Sequence, residues 1–271
     1  MKWFLAAEVR FGMLLTLLLC AWCACAVAEP VPVRYAQGTI HGFLQMRSED
    51  GHVVATGDIV QVTHGDQVTS RTTFHFKDGS LDDETTVFSQ RRMFRLISDH
   101  RVQKGPAFPH PMDVMIEARG GTVTVRTDGK DGKEEVHTDK VALPPDLANG
   151  MVPLVIENLR LEAAETTVPM VVMTPKPRLV KLVISPQEKQ SFSIAGTAHE
   201  ALHYEVKIEI GGVAGMVAPL IGKAPPNIEI WIVGGEAPTF LREQGPIYAD
   251  GPIMTIELAS PVWPDAARVG N

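Results

Sequence analysis

Alternation of apolar and polar residues is the clearest pattern in this chain. Leu202, Tyr204, Val206, Ile208 and Ile210 fall on every second position, with Glu205, Lys207 and Glu209 between them. Ile228, Ile230 and Ile232 repeat the pattern around Glu229 and Trp231. Period two is the signature of a half-buried strand. Between the two runs lies GGVAGMVAPLIGKAPP, residues 211–226. Its glycines permit close backbone approach, and its apolar residues suit either core packing or the mouth of a pocket. The stretch from Tyr204 to Leu241 thus reads as strand, apolar loop, strand, turn, strand.

The rest of the chain follows the same grammar. Strands are expected over Tyr35–Met46, His52–Thr63, Val68–Phe76 and Leu81–Ser89, joined at Glu49-Asp50-Gly51, His64-Gly65-Asp66 and Lys77-Asp78-Gly79-Ser80. Arg91–Val102 follows, with Phe94, Leu96, Ser98, His100 and Val102 assigned to one face. Val114–Ala118 and Val123–Val125 are further candidates, and RTDGKDGKEE reads as a solvated turn. Val168–Met173, Arg178–Ile184, Ser191–Ile194 and Met254–Leu258 complete the set. Short turns between successive strands favour an antiparallel meander. One segment, LPPDLANGMVPLVIENL at 143–159, reads as helical, and Gly150 and Pro153 split it into short pieces.

Residues 1–28 have the form of a secretory signal peptide. Lys2 and Arg10 supply positive charge, Leu14–Ala24 the apolar run, and Ala26-Val27-Ala28 the small residues before a cut at Glu29. A single β-rich domain is expected over 29–264, with a loose tail at 265–271. Cys20, Cys23 and Cys25 all lie in the leader, so the mature chain needs no disulfide. Lipidation at Cys25 is the alternative to simple cleavage, and the apolar run is short for a membrane span. The expected location is periplasmic or secreted. Without the leader the net charge moves from −7 to about −8, and no basic cluster is present, which argues against nucleic acid as partner.

Few residues point to chemistry. His199-Glu200-Ala201-Leu202-His203 matches the zinc pattern HExxH, in which a helix sets both imidazoles on one side. Strand alternation begins at Leu202, and on a strand residues four apart stand about 13 Å apart. Asp78, Asp82, Asp83 and Glu84 form an acidic group that would suit a hard cation, yet their spacing is not that of a calcium loop. Gly222-Lys223 lacks the glycine spacing and hydroxyl residue of a phosphate loop. No cofactor is expected.

The segments FHFKDGSLDDETTVFSQ, VQKGPAFP, KPRLVKL, GKAPP and WIVGGEAPTFLREQGP resemble an uncharacterised family of exported bacterial proteins. More distantly, the chain is similar to the DUF3108 group. That resemblance implies a large curved antiparallel sheet, like the unclosed barrel of periplasmic lipoprotein carriers, with one or two short helices against its concave side. A non-catalytic protein binding a lipid or other apolar or amphipathic molecule is the leading expectation. Val213, Met216, Val217, Pro219, Leu220, Ile221, Trp231 and Phe240 are its candidate contacts. An envelope structural or protein-interaction module is the first alternative. A zinc hydrolase using His199 and His203 is the second.

Overall fold

The computed structural model describes residues 30–129, 133–160, 162–174, 176–194, 197–211 and 225–259. It is one antiparallel sheet of fifteen strands with a single short helix among the described residues. The first eight strands are β1 (Ile40–Ser48), β2 (Val53–His64), β3 (Gln67–Phe76), β4 (Leu81–Ser89), β5 (Arg95–Lys104), β6 (Met112–Glu117), β7 (Thr122–Asp128) and β8 (Glu134–Lys140). After α1 (Val152–Glu157) come β9 (Thr166–Val172), β10 (Arg178–Pro186), β11 (Gln190–Ile194), β12 (Thr197–Glu209), β13 (Ile228–Val233), β14 (Thr239–Pro246) and β15 (Ile253–Leu258).

The expected meander holds except at β11, which pairs with one end of β12 while β10 pairs with the other, and it is joined end to start. β1 pairs with β15 in mid-sheet, while the two edges, β8 and β9, are neighbours in sequence and do not pair with each other. The break in the sheet therefore falls where the helical segment crosses. That segment also covers part of the β9 edge. Ala148 donates its backbone N–H to Pro169 O at 2.8 Å, and the Asn149 side chain exchanges two 2.8 Å hydrogen bonds with the Val171 backbone. Edge groups that could recruit another strand are thereby satisfied.

The sheet curls around its own contents. Val68, Phe88, Val114 and Val125 share one buried cluster with Val180, Leu182, Ile230 and Ile232 from the other half of the sheet. Leu147, Met151, Val155 and Ile156 of the crossing segment fill the space between them. Met151 precedes the helix, Pro153 sits in its first turn, and Asn158 ends it, so the predicted interruption confines α1 to six residues. A second buried cluster, of Leu44, Met46, Ala55, Phe74, Phe76, Phe108 and Ile247, fills the opposite strand ends.

Bulges alter which residues face inward. Val87 pairs with Ser98 and Phe88 with Leu96, leaving Ile97 as an extra residue in β5. An extra residue reverses the alternation beyond it. Ser98, His100 and Val102, expected beside Leu96, instead face outward, and Asp99, Arg101 and Gln103 face inward beside Asp82, Glu84 and Thr86. The acidic group is likewise divided. Asp78 accepts from the Ser80 N–H in the turn, Asp82 and Glu84 meet Arg101 inside, and Asp83 meets Arg71 outside. Arg101 and Asp82 form two parallel hydrogen bonds of 2.9 and 2.7 Å. A second bulge, at Leu241, puts Phe240 opposite Ile232 and Glu243 opposite Ile230.

The expected turn RTDGKDGKEE is narrower than its ten residues: β7 runs on to Asp128 and β8 starts at Glu134, and β8, a strand the alternation did not suggest, is an edge strand exposed along nearly its whole length. Among the described residues no helix is long and apolar enough to cross a membrane.

Candidate functional site

Strand alternation turns Leu202 and Tyr204 of β12 and Ile232 of β13 toward the inside of the curve. Ile156 and Leu159 of the crossing segment face them, and the gap that remains is a recess of about 420 Å³. That volume is on the scale of small-ligand sites, roughly 300–1,000 Å³. Arg34, Tyr35, Glu157, Glu162, Lys189 and Glu200 form its polar margin, and Gly234, Gly235 and Pro238 close one side.

The N-terminal stretch crosses this end of the sheet as a strap. The backbone N–H groups of Arg34 and Tyr35 both donate to Asn158 Oδ1 at 2.8 Å. Gln37 receives hydrogen bonds on its carbonyl from Thr63 and Gln90 and on its side chain from Gln61. Its own amide donates to Glu157 Oε2 at 3.4 Å. Arg34, Tyr35 and Gln37 thus find partners on the sheet or at the end of α1, which fixes Arg34 and Tyr35 at the recess.

Glu157 is the residue where these parts meet. Its other oxygen, Oε1, accepts the Phe240 backbone N–H at 2.9 Å. Burial pushes its carboxyl up to about 7, and the two neutral donors only partly oppose that. The margin's two cations are engaged elsewhere: Arg34 donates to Leu159 O at 3.3 Å, and Lys189 lies 3.5 Å from Glu200.

The sequence-derived candidates distribute unevenly. Phe240 packs between the two apolar clusters beside Glu157. Trp231 does not enter the recess. As the neighbour of inward-facing Ile230 and Ile232 it lies on the outer face, covered by the His203 ring on one side and approached by the Arg242 guanidinium. Val213, Met216, Val217, Pro219, Leu220 and Ile221 lie outside the described residues. Among the described residues, Glu209 at the end of β12 and Ile228 at the start of β13 lie at the strand ends opposite those that form the recess.

His199 and His203 belong to one strand, β12, and not to the helix that HExxH zinc chemistry uses. His203 is engaged with Glu229 Oε2 at 2.7 Å. Among the described residues no group of three histidine, cysteine or acidic side chains is placed to hold a metal ion.

The strap and Glu157 were missed from sequence. Glu157, Gln37 and Asn158 belong to no motif in the sequence. A lone acidic residue directly before an Asn at a helix end is too common a signal to select. No protein-family model, curated protein or solved structure matches this chain.

Proposed function

We propose that this chain is an exported, non-catalytic binding protein for a lipid or another amphipathic molecule, and that the recess beside α1 receives it. One observation carries the reading: the recess joins an apolar floor of Leu202, Ile232, Ile156 and Leu159 to a charged margin. Such a gradient suits a molecule with an apolar tail and a polar head, since the tail gains by leaving water and the head keeps polar partners. The resemblance to unclosed-barrel carriers supports the same reading and an envelope location. Among the described residues the chain's own side chains fill the inside of the curve around the recess, so the site is a small one, suited to a single apolar tail and not to a bulky lipid.

The test uses a fluorescent apolar probe and its displacement by dodecyl maltoside below micelle formation. Saturable displacement is expected from the native chain. Leu202→Trp, which fills the floor, should abolish it while the far-ultraviolet circular dichroism stays unchanged. Absence of saturable binding by the native chain would sink the proposal.

A further inference from the structure

We infer that the amphiphile taken by this recess has a cationic head, an ammonium group on an apolar tail, and that the Glu157 carboxylate receives it. The inference rests on the binding reading above and adds the chemistry of the head.

Glu157 lines the recess half-buried, with hydrogen bonds from two neutral donors, Gln37 Nε2 and the Phe240 N–H. Among the described residues it has no ion-pair partner, whereas Lys189 and Glu200 satisfy each other. The guanidinium of Arg34 is turned to the Leu159 carbonyl. A carboxylate taken out of water without a counter-charge is electrostatically incomplete. Its raised protonation range is the expected symptom, with burial as the first cause and no cation among the contributors.

An entering ammonium would supply what is missing. It would donate to a carboxylate oxygen in a charge-assisted hydrogen bond, stronger than the bond a neutral hydroxyl makes. The groups facing the recess around Glu157 are Arg34 from the strap, Glu162 after α1, Lys189 between β10 and β11, and Glu200 on β12. Three carboxylates against two cations leave the margin negative, which disfavours an anionic head. The apolar floor lies directly beside Glu157, because Ile156 precedes it and Leu159 follows two residues later.

The experiment compares three probes with the same tail: dodecylammonium, dodecyl maltoside and dodecanoate, each below micelle formation, on the full chain at pH 8.5. Dodecylammonium is expected to bind about tenfold more tightly than the maltoside, and dodecanoate more weakly than either. Glu157→Gln should bring dodecylammonium to the level that the maltoside shows in the same variant. On the unsubstituted chain, lowering the pH to 5.5 should shrink the ammonium preference as Glu157 takes up a proton, so the test survives a variant that fails to fold. Maltoside binding without an ammonium preference, or a preference that persists in Glu157→Gln, overturns the inference and leaves the binding reading standing. No binding of any probe removes both.

Discussion

The imidazole of His203 lies flat on the indole of Trp231, with ring centroids 4.6 Å apart and 2° between the planes. A hydrogen-bond chain locks the pair. The Trp231 Nε1–H donates to Gln190 Oε1 at 2.9 Å, the Gln190 amide reaches His203 Nδ1 at 3.3 Å, and His203 Nε2 meets Glu229 at 2.7 Å. With Nε2 as donor to Glu229, Nδ1 is free to accept, and every polar atom of the stack has a partner. The stack ties β11, β12 and β13 together on the outer face.

A double-mutant cycle on Trp231 and His203, with alanine at each, should return a coupling of roughly 0.5–1.5 kcal/mol, the usual range for stacked rings. Urea unfolding measures it. Additive single-mutant effects would mean that the rings merely lie near each other. Amphiphile binding should be unaffected by Trp231→Ala, because the indole faces away from the recess.

Arg101 faces inward beside the carboxylates of Asp82, Glu84, Asp99 and Glu243. It grips Asp82 with two bonds, and Glu84 stands 4.0 Å away. Burial works against the guanidinium, yet the charges of Asp82 and Glu84 outweigh it and keep the group protonated. The Asp82 side chain is only 5% exposed. Arg101→Met keeps the bulk and removes the charge, leaving Asp82 buried without its partner. A loss of about 3–5 kcal/mol is expected from urea unfolding. Gln103, which also donates to Asp82 at 3.1 Å, should matter less as Gln103→Leu, since the ion pair survives.

Fold class and strand order were largely legible because most strands bury one face, and burial on one face writes period two into the sequence. Two kinds of residue escaped. Strand β8 buries almost nothing, so EEVHTDK has no alternation to read and is not assigned as a strand. The inward polar layer was hidden by a bulge: Ile97 shifts the parity of β5, and Asp99, Arg101 and Gln103 then face inward where the alternation assigns Ser98, His100 and Val102. A bulge without a glycine leaves no local mark. The recess was illegible for another reason. Its parts come from the strap, α1, β12 and the turn after β13, and only the folded chain brings Arg34 near Glu200.

Gly150 has a positive φ of 64°, and a Cβ there would run into the Thr86 side chain. Thr86 cannot easily yield, because its hydroxyl donates to Asp99 Oδ1 at 2.8 Å. Gly65 has nearly the same φ, 61°, with open space around it. Gly65→Ala should therefore cost only the backbone term, about 1 kcal/mol. Gly150→Ala adds overpacking against Thr86 and should cost roughly 2–4 kcal/mol in all. Equal losses at the two positions, measured by chemical denaturation, would show that the crossing segment can lift away from β4.

Stability should fall as the pH rises from mildly acidic to neutral. Burial is the main cause that pushes Glu243 up to about 7; Arg101 opposes it and Glu84 adds to it. Burial likewise raises Glu157 to about 7, and it raises Glu84 and Asp99, whose Oδ2 is buried without a hydrogen-bond partner. A carboxyl raised in the folded state holds a proton that the unfolded chain has already released. Its contribution is complete below the ordinary value of 4.5 and is lost as pH climbs through about 7. Each such proton is worth up to about 1.4 kcal/mol per pH unit within its window. Asp83 acts in the opposite sense: its hydrogen bond with Arg71 lowers it, so its contribution disappears only as pH falls below the ordinary range of 3.8. Urea midpoints measured from pH 5 to pH 8 should decline, and Glu243→Gln, which cannot ionise, should flatten the decline. A midpoint that rises over this interval, or an unchanged slope in Glu243→Gln, would mean that Glu243 stays ionised and hydrated inside the curve.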